Sequence, residues 1–414
     1  MSTVIAERSP VGMEAERVGQ SPAPEVAAVR APAPARRIVV DDRRAVAAYR
    51  LKTSTPGVPS GAAPDAIAGM SSSLTKPTFV RCTCNDLLAG LLDTLDPANA
   101  VLEIRGATPG EGATVALDHS ALQTARGKGF KLAFDARLLR DYAGFVPLAS
   151  YVILDMGVLE LERAADLARV VRSSTKASAF ATRVPNAEAF GRLAGAGVKL
   201  FEGQWFAQPP VRPAKTVKLS YASLIKLLNL VMREAEVGEI EDLLKHDPGL
   251  AFKLLRHINA VGFGSSIEIT SFRHAVMTLG LKKLFRWTAL LVASTPANHV
   301  APAAGTLAIV RGRLMELLAL ETMAPADADL AFITGMFSML DTLLDMPMED
   351  ALALVNLPTP VTDAILSGEG IFARQLAIAR ACEMADGNLL ESSVDRHDRI
   401  VAAHGEALAW ADKF

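Results

Sequence analysis

Cysteine is nearly absent: Cys82, Cys84 and Cys382 are the three thiols in 414 residues. So sparse and odd a set does not offer the four regularly spaced ligands of a structural zinc site, and it implies reduced thiols rather than a disulfide framework. No apolar run approaches the ~18 residues that a membrane-spanning helix needs, so no membrane insertion is expected. The opening residues, MSTVIAERSPVGMEAER, contain no hydrophobic signal-peptide core. A cytoplasmic protein is the expectation. Charge of one sign is also missing. The formal net charge of −2 provides no global basic field, and no nucleic-acid partner is expected. Aromatic residues make up only 6% of the chain.

What is present is aliphatic. Half of the residues are hydrophobic, with Ala and Leu prominent, which favours helix packing. The length exceeds that of one ordinary core and implies two domains. Residues 1–35 are rich in Ala and Pro, as in SPAPEVAAVRAPAPARR. Such a stretch buries too little apolar surface to offset its ordering entropy and reads as a disordered tail.

Residues 36–209 carry a different pattern. Ile38, Val39 and Val40, a charged turn, then Ala45 to Leu51 suggest a hairpin, although Asp41-Asp42 is a weak turn signal. A Gly/Ser/Pro stretch, TSTPGVPSGAAPDAIAGMSSS, follows. Strand-like and helix-like segments then alternate. FVRCT, AVLEI, FKLAFD, YVILD, ASAFAT and KLFEGQWFA read as strands, with helical segments between them. Such alternation implies a parallel sheet covered by helices, and this many units implies a (β/α) barrel. Roughly 175 residues are available against the usual ~250, so the barrel is expected to be trimmed.

The linker, 210–218, opens with prolines that argue for a semi-rigid, extended connection. Residues 219–414 read as all helical. Ile240, Leu243 and Leu244 recur at helical spacing, and the pattern stops before Asp247-Pro248, a natural cap and first helical residue. The next apolar face is Leu250, Leu254 and Ile258, broken by Gly262 and Gly264. Thr270 or Ser271 can cap a third helix carrying Phe272, Val276 and Leu279, which Gly280 ends.

The string DPGLAFKLLRHIN, a short Gly loop, then SFRHAVMTLGLKKLFRW resembles the HDOD domain. That resemblance implies an all-helical signalling module related to HD-type phosphohydrolases but lacking their metal site. The segments VRGRLMELLA, AFITGMFSMLDTLLDMPMEDAL and ILSGEGIFARQLAIA are similar to later helices of the subgroup in which HDOD follows an EAL-like domain. The barrel region in turn resembles the EAL domain, a phosphodiesterase that opens cyclic di-GMP. Its clearest match is GVKLFEGQWFAQP, preceded by NAEAFGRLAGAG. The fold implied is therefore a trimmed TIM-like barrel of EAL type followed by an all-helical HDOD domain.

The EAL reaction is metal-assisted hydrolysis, in which acidic groups at strand ends hold two divalent cations. Carried onto this sequence, the resemblance leaves little of that set. The signature falls on AYRL, and its glutamate is Arg50. The asparagine of the next strand falls near Cys82. Glu103 is retained, but the second acid of its motif is Gly106. The paired aspartates become Asp135 and Ala136, and the lysine falls on Ile153 beside a surviving Asp155. The later positions hold Phe180, Arg183 and Glu202. Glu103, Asp135 and Asp155 are thus remnant acidic positions. The expectation is no metal, no cofactor and no catalysis.

Other features have plainer readings. His246-Asp247 and His397-Asp398 are HD dipeptides, and His257 and His274 lie nearby in sequence, but Asp247 is explained as a helix cap. Lys282, Lys283 and Arg286 around Trp287 read as a solvated helix face, and Met336, Met339, Met346 and Met348 as core. The sequence as a whole implies a non-enzymatic regulatory adaptor that binds other signalling proteins through its HDOD domain. The alternatives are a cyclic di-GMP effector that binds without hydrolysis, and a residual metal-dependent phosphodiesterase.

Overall fold

The structure, a computed structural model, describes residues 35–52, 76–105, 117–208, 219–260, 271–295, 301–384 and 397–414. The Ala/Pro tail up to residue 34, the Gly/Ser/Pro stretch after the hairpin and the linker at 210–218 lie outside them, as does Gly106. Two strands open the described chain, β1 (Ala35–Asp41) and β2 (Val46–Lys52), paired antiparallel. The weak turn between them is built by Asp41, whose Oδ1 accepts the amides of Arg43 and Ala45, both at 2.9 Å. Arg44 completes it in the left-handed region, at φ 64°.

Six further strands follow: β3 (Thr78–Cys82), β4 (Ala100–Ile104), β5 (Lys131–Asp135), β6 (Tyr151–Asp155), β7 (Ser178–Thr182) and β8 (Leu200–Glu202). The eight strands close in sequence order into a barrel. From β2 to β8 neighbours are parallel, and β1 runs antiparallel to both β2 and β8. The helices between them include α1 (His119–Gly127), α2 (Ala136–Asp141), α3 (Leu161–Ser174) and α4 (Ala187–Ala196). Two segments depart from expectation. KLFEGQWFA is strand only as far as Glu202, then turns into a 3-10 segment at Trp205–Ala207. The helical stretch after β3 is broken at Gly90, which sits at φ 99°.

Period-two alternation sorts the strand residues. Val39, Ala48, Phe79, Val101, Ala133, Ile153 and Phe180 form one apolar layer inside the barrel. The Phe79 ring lies 4.8 Å from Phe180 and 5.2 Å from Tyr151, centroid to centroid. Residues two further along each parallel strand face the same interior nearer the C-terminal mouth, and there the sequence turns charged, with Arg50, Arg81, Glu103, Asp135, Asp155 and Glu202, except at Thr182 of β7. Because β1 runs the other way, Arg37 reaches the same level.

The helical part comprises α5 (Leu219–Met232), α6 (Val237–His246), α7 (Pro248–Ala260), α8 (Phe272–Ser294), α9 (Pro302–Leu320), α10 (Pro325–Phe337), α11 (Leu340–Leu344), α12 (Met348–Ala353), α13 (Thr359–Leu366), α14 (Ala373–Met384) and α15 (His397–Ala411). Ser271 caps α8, its Oγ accepting from the His274 amide at 3.1 Å. Gly280 interrupts that helix at φ 74° without ending the element. Helix α9 is central, packing against α8, α10, α14 and α15.

This part also covers the outer face of the barrel hairpin. Ile38, Val40, Tyr49 and Leu51 belong to one apolar core with Leu307, Leu408 and the other helix residues. A barrel of this kind normally places its own helices there. Tyr49 donates its hydroxyl to Asp412 Oδ1 at 2.8 Å, Lys76 pairs with the same carboxylate, and the Ala303 amide donates to the Arg44 carbonyl at 3.0 Å. The described residues belong to one compact unit.

His404 of α15 is buried at this seam beside Arg36, and a small crevice there is lined by both, with Gly203, Phe206, Leu307 and Leu408. Burial, reinforced by the Arg36 charge, lowers the His404 imidazole to about 3. A buried neutral histidine stabilises the fold fully above its unfolded pKa, ~6.5, and that stability is lost as pH falls toward the folded value. The urea midpoint should therefore begin to drop below about pH 6.5, before the carboxylates titrate. His404→Gln should abolish the slope between about pH 6.5 and 4.5. An unchanged slope in that variant would place the acid sensitivity elsewhere.

Candidate functional site

The charged layer at the barrel mouth is the candidate site, and Arg50 is its centre. Its guanidinium lies 6.0 Å above the Phe180 ring centroid, with only 9% of the residue exposed. Nε and Nη2 donate to the two carboxylate oxygens of Glu103, each at 2.7 Å. Nη1 donates to Glu202 Oε2 at 2.9 Å. Two more arginines complete the lattice. Arg81, register partner of Glu103, donates Nε to Glu103 Oε1 at 2.8 Å. Arg37 donates Nη1 to Glu202 Oε1 at 2.6 Å.

Both glutamates are almost fully buried, at 4% exposure for Glu103 and 1% for Glu202. Burial alone would raise the Glu103 carboxyl, but the Arg50 and Arg81 guanidiniums outweigh it and hold the group down at about 2. The same balance, burial opposed by Glu103 and Glu202, raises the Arg50 guanidinium above its ordinary value.

The remaining acids are also paired with arginine. Asp135 caps α2, accepting the Arg137 amide at 2.8 Å, and its two oxygens take Nε and Nη2 of Arg137 at 3.1 Å each. Asp155 receives Nε and Nη2 of Arg183, both at 2.5 Å, and the Gly157 amide at 3.1 Å. A Cβ at residue 157 would fall 2.1 Å from Arg183 Cζ, so glycine makes room for that clamp. Arg183 itself sits at φ 56°.

Glu103, Asp135 and Asp155 thus stand at successive strand ends of one mouth, each paired with arginine. Cys82 is buried at the end of β3, where burial, then the Asp86 charge, pushes its thiol well up. Ile153 and Phe180 belong to the apolar layer below. Among the described residues no three His, Cys, Asp or Glu side chains gather as a metal site. The two divalent cations that the EAL resemblance implies do not fit this donor set, because a cation between Glu103 and Glu202 would meet the Arg50 guanidinium. Arg37 and Arg81 were not singled out from sequence. The signal was there in principle: each falls on the period-two face that carries Arg50 and Glu103, once the register of the strands is known.

A family model matches the helical part: "HDOD domain", over residues 219–343. Residues 219–343 are an HDOD domain. The chain therefore joins a closed eight-stranded barrel to an HDOD domain, which α12–α15 extend. Over 269 residues it is 29% identical to the cyclic di-GMP phosphodiesterase CdgJ of Vibrio cholerae serotype O1, an alignment covering 64% of this chain and 62% of that protein. The uncharacterized protein YuxH of Bacillus subtilis is 25% identical over 346 residues, with 81% of this chain and 83% of YuxH covered. Among solved structures, an EAL domain protein from Listeria monocytogenes aligns with TM-score 0.32 and 15% identity, covering 43% of this chain and 87% of that one. The barrel topology rests on the strand pairing itself.

Within and beside the HDOD domain the tempting residues are structural. The Leu250 amide donates to Asp247 Oδ1 at 2.9 Å, the cap expected before Pro248. His246 Nδ1 lies 2.6 Å from the Asp242 carbonyl of its own helix. The side chains of His257, His397 and Asp398 lie outside the described residues. Met336, Met339 and Met346 are buried core. The basic cluster is a solvated face at Lys282 and Lys283, as expected, but not at Arg286. Trp287 is buried, and Arg286 folds inward over the Phe332 ring at 4.1 Å, its Nη2 donating to Glu316 at 2.7 Å. Its helix lies against α9, which supplies that glutamate. No helix among the described residues is long and apolar enough to cross a membrane.

Proposed function

We propose that this chain is a non-enzymatic regulatory adaptor in cyclic di-GMP-linked signalling, with a catalytically silent barrel and an HDOD domain that docks protein partners. The observation that carries the reading is Arg50, whose guanidinium bridges Glu103 and Glu202 at the centre of the mouth. Metal-assisted hydrolysis needs carboxylates open to cations and a water that they activate. Here each surviving acid is neutralised by an internal cation, and a carboxyl held at about 2 is a poor base. The link to cyclic di-GMP is supported by the name of the Vibrio relative, which this chain covers over 62% of its length. A location in the cytoplasm agrees with that reading.

The test is calorimetric titration of cyclic di-GMP into the full chain with Mg²⁺ or Mn²⁺, followed by chromatography of the nucleotide. Intact nucleotide and no heat are expected, together with a melting temperature that added metal leaves unmoved. Binding with intact nucleotide would replace the adaptor by an effector. Turnover to a linear product would overturn catalytic silence.

A further inference from the structure

The charged lattice does not end at the mouth. Arg37, which holds Glu202 with one nitrogen, donates Nη2 to the Met384 carbonyl at 2.8 Å. Two residues beyond Glu202, Gln204 donates Nε2 to the Glu383 carbonyl at 2.9 Å. These carbonyls belong to the last two residues of α14. The barrel therefore holds the backbone of a helix of the other part at two points.

The Glu383 side chain continues the path. It is buried and takes Nε and Nη2 of Arg311 at 2.8 and 2.7 Å. Arg311, on the central helix of the HDOD domain, donates Nη1 to Ser338 Oγ at 2.6 Å, and that hydroxyl donates to the Gly335 carbonyl at 2.6 Å. From Arg81 on β3 to the end of α10 the links are hydrogen bonds and ion pairs of ordinary length, joined across the backbone of Glu383 and Met384 in α14. Bonds to charged partners are the strong ones, and buried networks fail at high cost when one member goes.

We infer that the barrel mouth sets the state of the HDOD domain through this path: Arg50–Glu202–Arg37 clamps the end of α14, and α14 in turn fixes Arg311 by way of Glu383. An anion or a substitution that draws Arg37 or Glu202 away at the mouth releases α14 and unlocks Arg311 some distance off. The inference holds whichever ligand, if any, the mouth takes, and it stands apart from the question of catalysis. The two-state element is the C-terminal turn of α14.

That turn carries its own reporter. Cys382 is 2% exposed and adjoins Glu383. Alkylation of the native full chain, read by mass spectrometry at each cysteine, measures local opening. Arg37→Ala should speed Cys382 labelling about tenfold, the yield of losing the one charge-assisted hydrogen bond from Arg37 to α14, and leave Cys84 at its wild-type rate. Glu202→Gln, which keeps the shape of the side chain, should act in the same direction if Arg37→Ala fails to fold. Arg137→Ala, at the same mouth but off the path, should change nothing at Cys382. Unchanged Cys382 labelling in both path variants would overturn the inference. So would equal acceleration at all three cysteines, which reports global loosening, or the same acceleration from Arg137→Ala.

Discussion

Arg50→Ala should lower the unfolding free energy by about 3 kcal/mol, measured by urea denaturation at neutral pH, because it strips the shared counter-charge from two buried carboxylates. The figure lies at the low end for breaking a buried pair, since Arg81 still reaches Glu103 and Arg37 still reaches Glu202. The pH dependence gives the mechanism. In the wild type, Glu103 is held at about 2, below its ordinary carboxyl value. It therefore contributes stability that is fully present above its unfolded pKa and lost as pH falls through about 2. In the variant, burial persists while the main attraction is gone, so the Glu103 carboxyl rises. Protonation then relieves the uncompensated charge, and the gap between variant and wild type should narrow as pH drops below about 4.5. A gap that stays constant from neutral to acid would mean that Arg50 acts by packing alone. Adding Glu103→Leu to Arg50→Met should likewise recover stability over Arg50→Met by itself, because an apolar pair removes the charge that the single change strands.

Much of the barrel could be read from the sequence because its signals are local. Short apolar runs such as AVLEI, FKLAFD and YVILD, set between helix-like segments, are signals spanning a few residues. The substitution of a glutamate by Arg50 was also visible, and it pointed to a mouth unsuited to metal. What the sequence did not disclose was where the charge of Arg50 goes. Its partners lie 53 and 152 positions away, and only the closure of the barrel brings them together. Arg286 shows the same limit in the other direction. Beside lysines it looks like a surface cation, and only the approach of α9 and α10 makes it an inward one. The covering of the hairpin by α9 and α15 was equally hidden, since the hydrophobic pattern of a strand states that its outer face is buried but not by what.

Gly335→Ala should cost about 3 kcal/mol, near the upper end for overpacking a core, although it adds a single methyl group. The reason is what that methyl meets. A Cβ at Gly335 would lie 2.7 Å from the Arg311 carbonyl oxygen and 2.8 Å from both the Arg311 carbonyl carbon and Gly312 Cα. The contact is reciprocal, for a Cβ at Gly312 would lie 2.8 Å from the Phe332 carbonyl oxygen. These are backbone atoms of α9 and α10, so no side-chain rotation relieves the clash and the helices must separate. Separation also pulls Arg311 on α9 from Ser338 at the end of α10, loosening the path that ends there. Gly191→Ala provides the control. It lies inside α4 with nothing within 4 Å of the added Cβ, and there alanine should raise stability by up to ~1 kcal/mol through helix propensity. If the two substitutions shift the urea midpoint alike, the close crossing of α9 and α10 does not hold the HDOD core. If Gly335→Ala falls far below while Gly191→Ala rises, the small residues at that crossing set how tightly the helices bearing Arg311 and Ser338 can pack.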